Sequence, residues 1–382
     1  MQNIVVVVNN FPRLSETFIA RQVVGLGAWV FTSDYVVSLV DSYNIGKDKV
    51  YQSKSNSNSF YDKVYRKILG IPCKVWNFAE KNEFEQFMKE KKIDVVLAEF
   101  GPNGINVSEI CEKLNIPYII QFLGYDVSAL MKFKWYEQRI LSAIDRATKC
   151  LVLYNGMQDI FIKLGVTSKK FSVINIGVPE LPFLEIKPNH FCMNTTRFLA
   201  VGRLIEKKSP INIIKAFEVC VLQNHNVQLD IVGDGPLMSK IKDRIHNSRA
   251  LKNRVFLHGF LSQKDIQVLY GKSHVFIQHS IVAPNGDSEG WPVSIAEACM
   301  SGLPVVATRH AGIPEQVVHE ETGFLVEEGD YMDMGNYMVL LSQNPVMASE
   351  MGVKSRLHMQ EHGAITKQIT KLKNILEIAA CK

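Results

Sequence analysis

NGDSEGWPVSIAEACMSGLPVVATRHAGIPE, residues 285–315, holds a helix followed at once by a short apolar strand. Pro292 suits the first turn of a helix, where its missing N–H would have no partner in any case. Gly302, with Leu303 and Pro304 behind it, suits the helix end, so a helix is expected over residues 293–301 and a strand over 304–307. Apolar runs of this kind alternate with amphipathic, helix-length segments almost from end to end, the pattern of parallel sheets built from βαβ units. The first half offers strands at residues 3–8, 35–39, 94–100, 117–122, 149–153 and 172–176. The second offers them at 197–201, 228–232, 254–257, 274–278, 304–307 and 323–326. Two similar α/β sheets are expected, and 382 residues suit two such cores better than one. Residues 177–196, rich in Pro and Asn and without periodicity, read as the linker. The expected domains are therefore 1–184 and 185–364, followed by a terminal helix in 365–382.

Composition narrows the class. Hydrophobic residues at 47% and charged residues at 21% describe an ordinary globular protein. No apolar run approaches the ~18–20 residues that span a bilayer, and Asn9 and Asn10 follow the first apolar run without a basic flank or cleavage site. The seven cysteines are scattered with no Cys-x-x-Cys pair, which fits a reducing, cytoplasmic setting. A net charge of +5 is too mild for a nucleic-acid binder. It is compatible with contact at the inner face of a membrane, for which Lys63, Arg66 and Lys67 beside Tyr61 and Tyr65 are candidates, although a solvated helix face explains them as well. Residues 43–59, polar and low in complexity, are expected to form a loop.

Two segments carry chemistry. From Gly290 to Thr308 only Glu297 is charged, and it falls in an otherwise apolar helix where an unpaired carboxylate would be costly. The adjacent hydroxyls of a ribose would satisfy it; a core Arg or a neighbouring helix cap would do so too. The backbone at Glu289, Gly290, Trp291, Pro292 and Val293 enters that helix, and the N–H groups of a helix start attract phosphate or sugar oxygens. In FLAVGRLIEKKSP, residues 198–210, a strand runs into a loop with Arg203, Lys207 and Lys208, and Ser209-Pro210 reads as N-cap and first residue of the next helix. Cations at the carboxyl end of a strand offer a fork and point charges for a diphosphate; a solvated loop is the alternative. There is no G-x-G-x-x-G after the first strand, no Walker loop, no H-E-x-x-H, no Cys/His metal spacing and no Asp-x-Asp pair. Dehydrogenase, P-loop and zinc chemistry lose support, and basic side chains rather than a divalent cation would neutralise a leaving diphosphate.

These residues resemble the retaining glycosyltransferases of family 4. The resemblance rests on NNFPRLSETFI (9–19), LAEFGPNG (97–104), VGRLIEKKSP (201–210), IVGDGPL (231–237) and residues 285–315, where Glu289 and Glu297 match the family's pair of glutamates separated by seven residues. It implies a GT-B fold of two facing Rossmann-like domains, with the final helix returning to the N-terminal domain. It also implies a metal-independent, retaining hexosyltransferase of bacterial surface polysaccharide assembly, with no cofactor beyond a nucleotide-sugar co-substrate, expected to be a UDP-sugar. Arg203 and Lys208 would bind the donor diphosphate, Glu297 the ribose, and Glu289 the transferred sugar. Gly290 and Trp291, with Pro292 and Val293 behind them, would approach the sugar and phosphates.

A glycan or lipid-linked oligosaccharide acceptor is expected on the N-terminal domain, where Ser15, Glu16 and Thr17 start the first helix and Gly124 and Asp126 follow a strand. Many members carry His-Gly-x-Asp at that strand end; this chain has Leu123-Gly124-Tyr125-Asp126. Leu123 can neither donate a hydrogen bond nor take a proton. Either another group serves, or none is needed, or the protein binds nucleotide sugar without turning it over. A phosphorylase of the same fold is a further alternative.

Overall fold

A computed structural model describes residues 2–12, 16–35, 43–55, 71–181, 183–186 and 195–381, with the side chains of 34 and 35 left out. The chain divides into two compact units, residues 1–177 with 366–382, and residues 178–365.

The first unit is built on a parallel sheet in the order β3-β2-β1-β4-β5-β6-β7. Its strands are β1 Ile4–Phe11, β2 Trp29–Tyr35, β3 Val50–Gln52, β4 Val95–Glu99, β5 Tyr118–Gln121, β6 Lys149–Val152 and β7 Phe171–Val173. The described helices are α1 Thr17–Leu26, α2 Phe78–Glu90, α3 Gly101–Leu114, α4 Lys134–Arg146 and α5 Asn155–Ile162. β1 and β4 are buried from both faces, as central strands of a helix-covered parallel sheet must be, which is why they read as unbroken apolar runs. β3 lies inside the segment expected to be loop. Three residues are too few to show periodicity, and what makes them a strand is tertiary: Val50 pairs with Val30, and the Tyr51 ring stacks on Phe31 at 5.3 Å. The strand expected at 35–39 lies, but for residue 35, outside the described residues; β2 itself starts at Trp29. Lys63, Arg66, Lys67, Tyr61 and Tyr65 also lie outside them.

The second unit carries a six-stranded parallel sheet in the order β10-β9-β8-β11-β12-β13. Its strands are β8 Thr196–Val201, β9 Val227–Val232, β10 Val255–Gly259, β11 Val275–Gln278, β12 Val305–Thr308 and β13 Gly323–Val326. The helices are α6 Pro210–Gln223, α7 Met238–Asn247, α8 Gln263–Lys272, α9 Val293–Met300, α10 Ile313–Gln316, α11 Tyr331–Gln343 and α12 Pro345–His362. Phe198, Phe217, Leu229 and Ile277 fill one side of this sheet, Leu199, Phe276, Ile295 and Val305 the other. The last helix, α13 Ile365–Ala380, buries Leu372, Leu376 and Ala379, and Ile369 lies against Gly25 of α1 in the first unit. The expected strands of this half all appear, shifted by no more than a residue or two, and α9 starts at Val293 behind Pro292 as its sequence requires.

Both sheets reverse direction of growth once, between β1 and β4 in the first unit and between β8 and β11 in the second. At such a point the connections from two adjacent strands leave to opposite sides and open a crevice beyond the carboxyl ends, where ligands bind in open α/β sheets.

The wall of the second crevice is made of backbone packed on backbone. The Gly202 and Leu204 amides donate to the Val232 and Asp234 carbonyls at 3.0 and 2.9 Å, so the turn after β8 is laced to the turn after β9. Gly233 has φ +135° there, and a Cβ on it would sit 1.9 Å from the Gly202 carbonyl oxygen. Gly233→Ala is expected to cost about 2 kcal/mol or more, because left-handed strain adds to a contact that only backbone movement can relieve. Gly165, with φ +92° and open space around its missing side chain, is the control; Gly165→Ala should cost about 1 kcal/mol. Equal melting temperatures for the two variants would contradict this.

Candidate functional site

In the second unit the residues singled out by sequence converge on the β8/β11 reversal. β8 delivers Gly202 and Arg203, then a 3-10 turn, Glu206–Lys208, brings Lys207 and Lys208 round before α6 begins. Ser209 occupies the N-cap position, but in the left-handed region at φ 38° and without a side-chain cap; its carbonyl accepts the Asn212 amide at 3.0 Å. The expected side-chain cap is thus absent, because the reversal from the 3-10 turn into α6 requires a conformation that points the hydroxyl elsewhere. From the other side, β11 leads into the loop of residues 279–292 and then α9, and the Ile281 amide donates to the Lys207 carbonyl at 2.9 Å.

Ion pairs join these two loops. Lys207 Nζ lies 3.0 Å from Asp287 Oδ1, and Lys208 Nζ lies 3.3 Å from Glu289 Oε1. Burial pushes the Lys208 ammonium below the ordinary lysine value, against the pull of Glu289. Burial also acts to raise the Glu289 carboxyl, but Lys208 and then Lys207 more than offset it and hold the group below the usual carboxylate range. Arg203 is exposed, and no carboxylate pairs with its guanidinium among the described residues. It shares a cleft at the carboxyl edge with Gly202, Lys208 and Gln278.

Glu297 is only 7% exposed, and two neutral side chains reach its carboxylate. Gln263 Nε2 donates to Oε1 at 2.9 Å and the Tyr270 hydroxyl to Oε2 at 3.3 Å. Burial raises Tyr270 well above the usual phenol value, with Glu297 adding to it, so this hydroxyl stays a donor. Ahead of Glu297, Gly290, Trp291 and Pro292 are buried and Val293 half-buried, and Pro292, as N-cap of α9, supplies no side-chain cap to the first-turn amides. The arrangement can hold a diol at Glu297 and an anion between the uncapped α9 start and the cations after β8.

In the first unit Glu16 is the N-cap of α1 but its side chain does not cap the helix amides, Thr17 is the first helical residue, and Ser15 lies outside the described residues. Asp126 is fully buried and accepts the Gly101 amide at 2.9 Å, Leu123 at 3.0 Å and Gly124 at 2.9 Å. It ties the turn after β5 to the start of α3, a bracing role that its position in the sequence did not disclose. Gly124 supplies φ +126° to that turn. The group the sequence reading missed is Glu99, at the carboxyl end of β4 beside the β1/β4 reversal. It is fully buried and neither carboxylate oxygen has a hydrogen-bond partner among the described residues. Burial first, then Glu16 and Asp126, raise its carboxyl well above the usual range. His310 of the second unit was not among the expected site residues; only its partners, distant in sequence, give it meaning.

The family profile described as "Glycosyl transferases group 1" matches residues 185–361. An uncharacterized glycosyltransferase of Haemophilus influenzae is 30% identical over 302 residues, 78% of this chain and 80% of that protein. The amylovoran biosynthesis glycosyltransferase AmsK of Erwinia amylovora is 29% identical over 252 residues; the match spans 65% of this chain and about three fifths of that protein's length, 61%. Among solved structures, Anabaena HepE in complex with UDP superposes with a TM-score of 0.77 at 17% identity, covering 99% of this chain and 100% of that one. That likeness establishes the GT-B fold.

Glu99 makes a prediction with a definite sign. Its carboxyl is raised in the folded protein, so the fold binds the proton more tightly than the unfolded chain. Its contribution to stability is then greatest below the ordinary carboxylate range and is lost as pH rises through the folded value. Glu99→Gln, which cannot ionise, should raise the melting temperature at neutral and alkaline pH by the equivalent of about 1–3 kcal/mol. The gain should shrink towards zero as pH falls to the usual carboxylate range. Melting curves across pH check this; a difference that does not change with pH would contradict it.

Proposed function

The chain belongs to the group 1 glycosyltransferases, and on that footing we propose that it transfers a hexosyl unit from a UDP-sugar to a hydroxyl of a glycan or glycolipid, with retention and without a metal ion. The observation that carries the reading is that Arg203 and Lys208 line one cleft at the carboxyl edge where the second sheet reverses, with Glu289 of the facing loop paired to Lys208. Arg203, exposed and without a carboxylate partner among the described residues, and Lys208 meet the diphosphate. Glu297 takes the ribose hydroxyls in place of, or beside, the neutral Gln263 amide, an exchange that costs no charge. Glu289 contacts the transferred sugar. AmsK is named for amylovoran biosynthesis, which supports a role in assembling a bacterial surface polysaccharide.

The acceptor oxygen attacks the anomeric carbon on the face from which the diphosphate departs. The new C–O bond forms as the bond to the β-phosphate oxygen breaks, and a phosphate oxygen of the donor takes the acceptor's proton. Fixed positive charge at Arg203 and Lys208 stabilises the leaving UDP, and because it is already in place it costs no reorganisation as charge develops. The crevice at the β1/β4 reversal of the first unit, with Glu16 and Glu99, is the acceptor side, and a free and a lipid-linked acceptor follow the same chemistry. No helix among the described residues is long and apolar enough to cross a membrane, and a lipid-linked acceptor would be met at the inner membrane face.

A second reading keeps the donor site but not the transfer. It is motivated by Leu123, half-buried in the turn braced by Asp126, where a proton-carrying side chain was expected. Melting curves with UDP- and GDP-sugars, followed by UDP release, separate the two. A UDP-sugar should raise the melting temperature by several degrees, and Arg203→Ala should lower turnover at least ~100-fold while the protein stays folded. Unchanged turnover in Arg203→Ala would remove its role, and donor binding without UDP release across many acceptors would favour the second reading.

A further inference from the structure

The loop that carries Glu289 is held from a direction the motifs do not suggest. His310, 2% exposed, lies two residues beyond β12, and its Nε2 is 3.1 Å from the Glu289 amide nitrogen and 3.0 Å from Ser288 Oγ. Its Nδ1 is 2.6 Å from Glu328 Oε1, and Glu328 Oε2 accepts the Val282 amide at 2.9 Å. An amide can only donate, so Nε2 must present its lone pair and the ring proton must reside on Nδ1, facing Glu328.

We propose that Glu328 and His310 act together as a positioning pair for Glu289, with Glu328 selecting the imidazole tautomer that the Glu289 backbone requires. The proposal rests on the reading of Glu289 as a contact to the transferred sugar. One carboxylate thereby holds both ends of the 282–289 loop: Val282 directly, and Ser288 and Glu289 through His310. Lys207 secures the same loop from the β8 side at Asp287, and the Gly312 amide donates to the Gly290 carbonyl at 3.1 Å. Glu328 is itself held in register by its neighbour, for the Gly329 amide donates to His279 Nε2 at 2.9 Å. Burial pushes His279 down to about 4, so that ring stays neutral and able to accept. The pair touches no substrate. With the wrong tautomer, Nε2–H would confront the Glu289 N–H, the 288–290 backbone would move, and the Lys208–Glu289 contact would move with it. Groups that orient a functional side chain in this way typically matter by 10–100-fold, although they stand outside the reaction.

The test uses the full chain, labelled with 15N, and UDP with UDP-glucose, UDP-galactose and UDP-N-acetylglucosamine as probes. Long-range 1H–15N correlation, with His310 assigned through His310→Gln, should show a protonated Nδ1 and a bare Nε2 in the wild type. Glu328→Ala should give a mixture of tautomers. Where a donor is turned over, Glu328→Ala and His310→Leu should lower kcat for UDP release about 10–100-fold, with donor KM and UDP affinity within about twofold of wild type. His310→Gln, which offers an acceptor and a donor on one side chain, should recover much of the loss. Melting temperatures identify variants that fail for want of folding. A protonated Nε2 in the wild type overturns the pair, as does wild-type kcat in a folded His310→Leu or an effect confined to KM. A wild type that binds none of the probes would sink the function reading instead, and the tautomer would still decide the pair.

Discussion

The contact between Lys208 and Glu289 is the constraint around which the second unit's edge is arranged. Each group is costly to bury alone, and leaving either one unpartnered in that place would cost far more than the pair contributes. Two loops from different strands must therefore arrive at the same point: the 3-10 turn after β8 with the lysines, and the loop after β11 with Asp287 and Glu289. Their charges cancel pairwise. Arg203, exposed beside them, has no carboxylate partner among the described residues and offers its guanidinium to an incoming diphosphate.

Topology makes the meeting possible. Because the sheet grows in one direction from β8 through β9 to β10 and in the other from β11 to β13, the turns after β8 and β11 diverge and leave room between them. Lacing of the β8 and β9 turns through Gly202, Leu204, Val232 and Asp234 gives the crevice a wall of backbone, and Gly233 allows that close approach. α9 then aims its uncapped start at the same space and sets Glu297 about one turn into the helix, between Gln263 and Tyr270. The first unit repeats the plan at its own reversal with different chemistry: a buried carboxyl group at Glu99, without a hydrogen-bond partner among the described residues, in place of an ion pair.

Much of this was legible in the sequence. Central strands buried on both faces leave unbroken apolar runs, and Pro292 and Gly302 punctuate α9 plainly, so the two sheets and the donor-edge helix could be read from local pattern. The Glu289 and Glu297 spacing and the cations after β8 pointed to the site. What local pattern does not encode is pairing at a distance. β3 is a strand only because β2 lies beside it, Ser209 takes a left-handed conformation only because the 3-10 turn must meet α6, and Asp126 reveals its bracing role only once α3 is next to it. His310 and Glu99 escaped notice for the same reason, since a lone His and a glutamate at a strand end have no signature until their surroundings are known.

The most direct measurement is a crystal structure of the protein with a bound UDP-sugar. The account predicts the diphosphate against Arg203 and Lys208, the ribose hydroxyls on the Glu297 carboxylate, and the sugar beside Glu289. A nucleotide bound elsewhere, or one that leaves Glu297 on Gln263 and Tyr270 with the ribose out of reach, would contradict it.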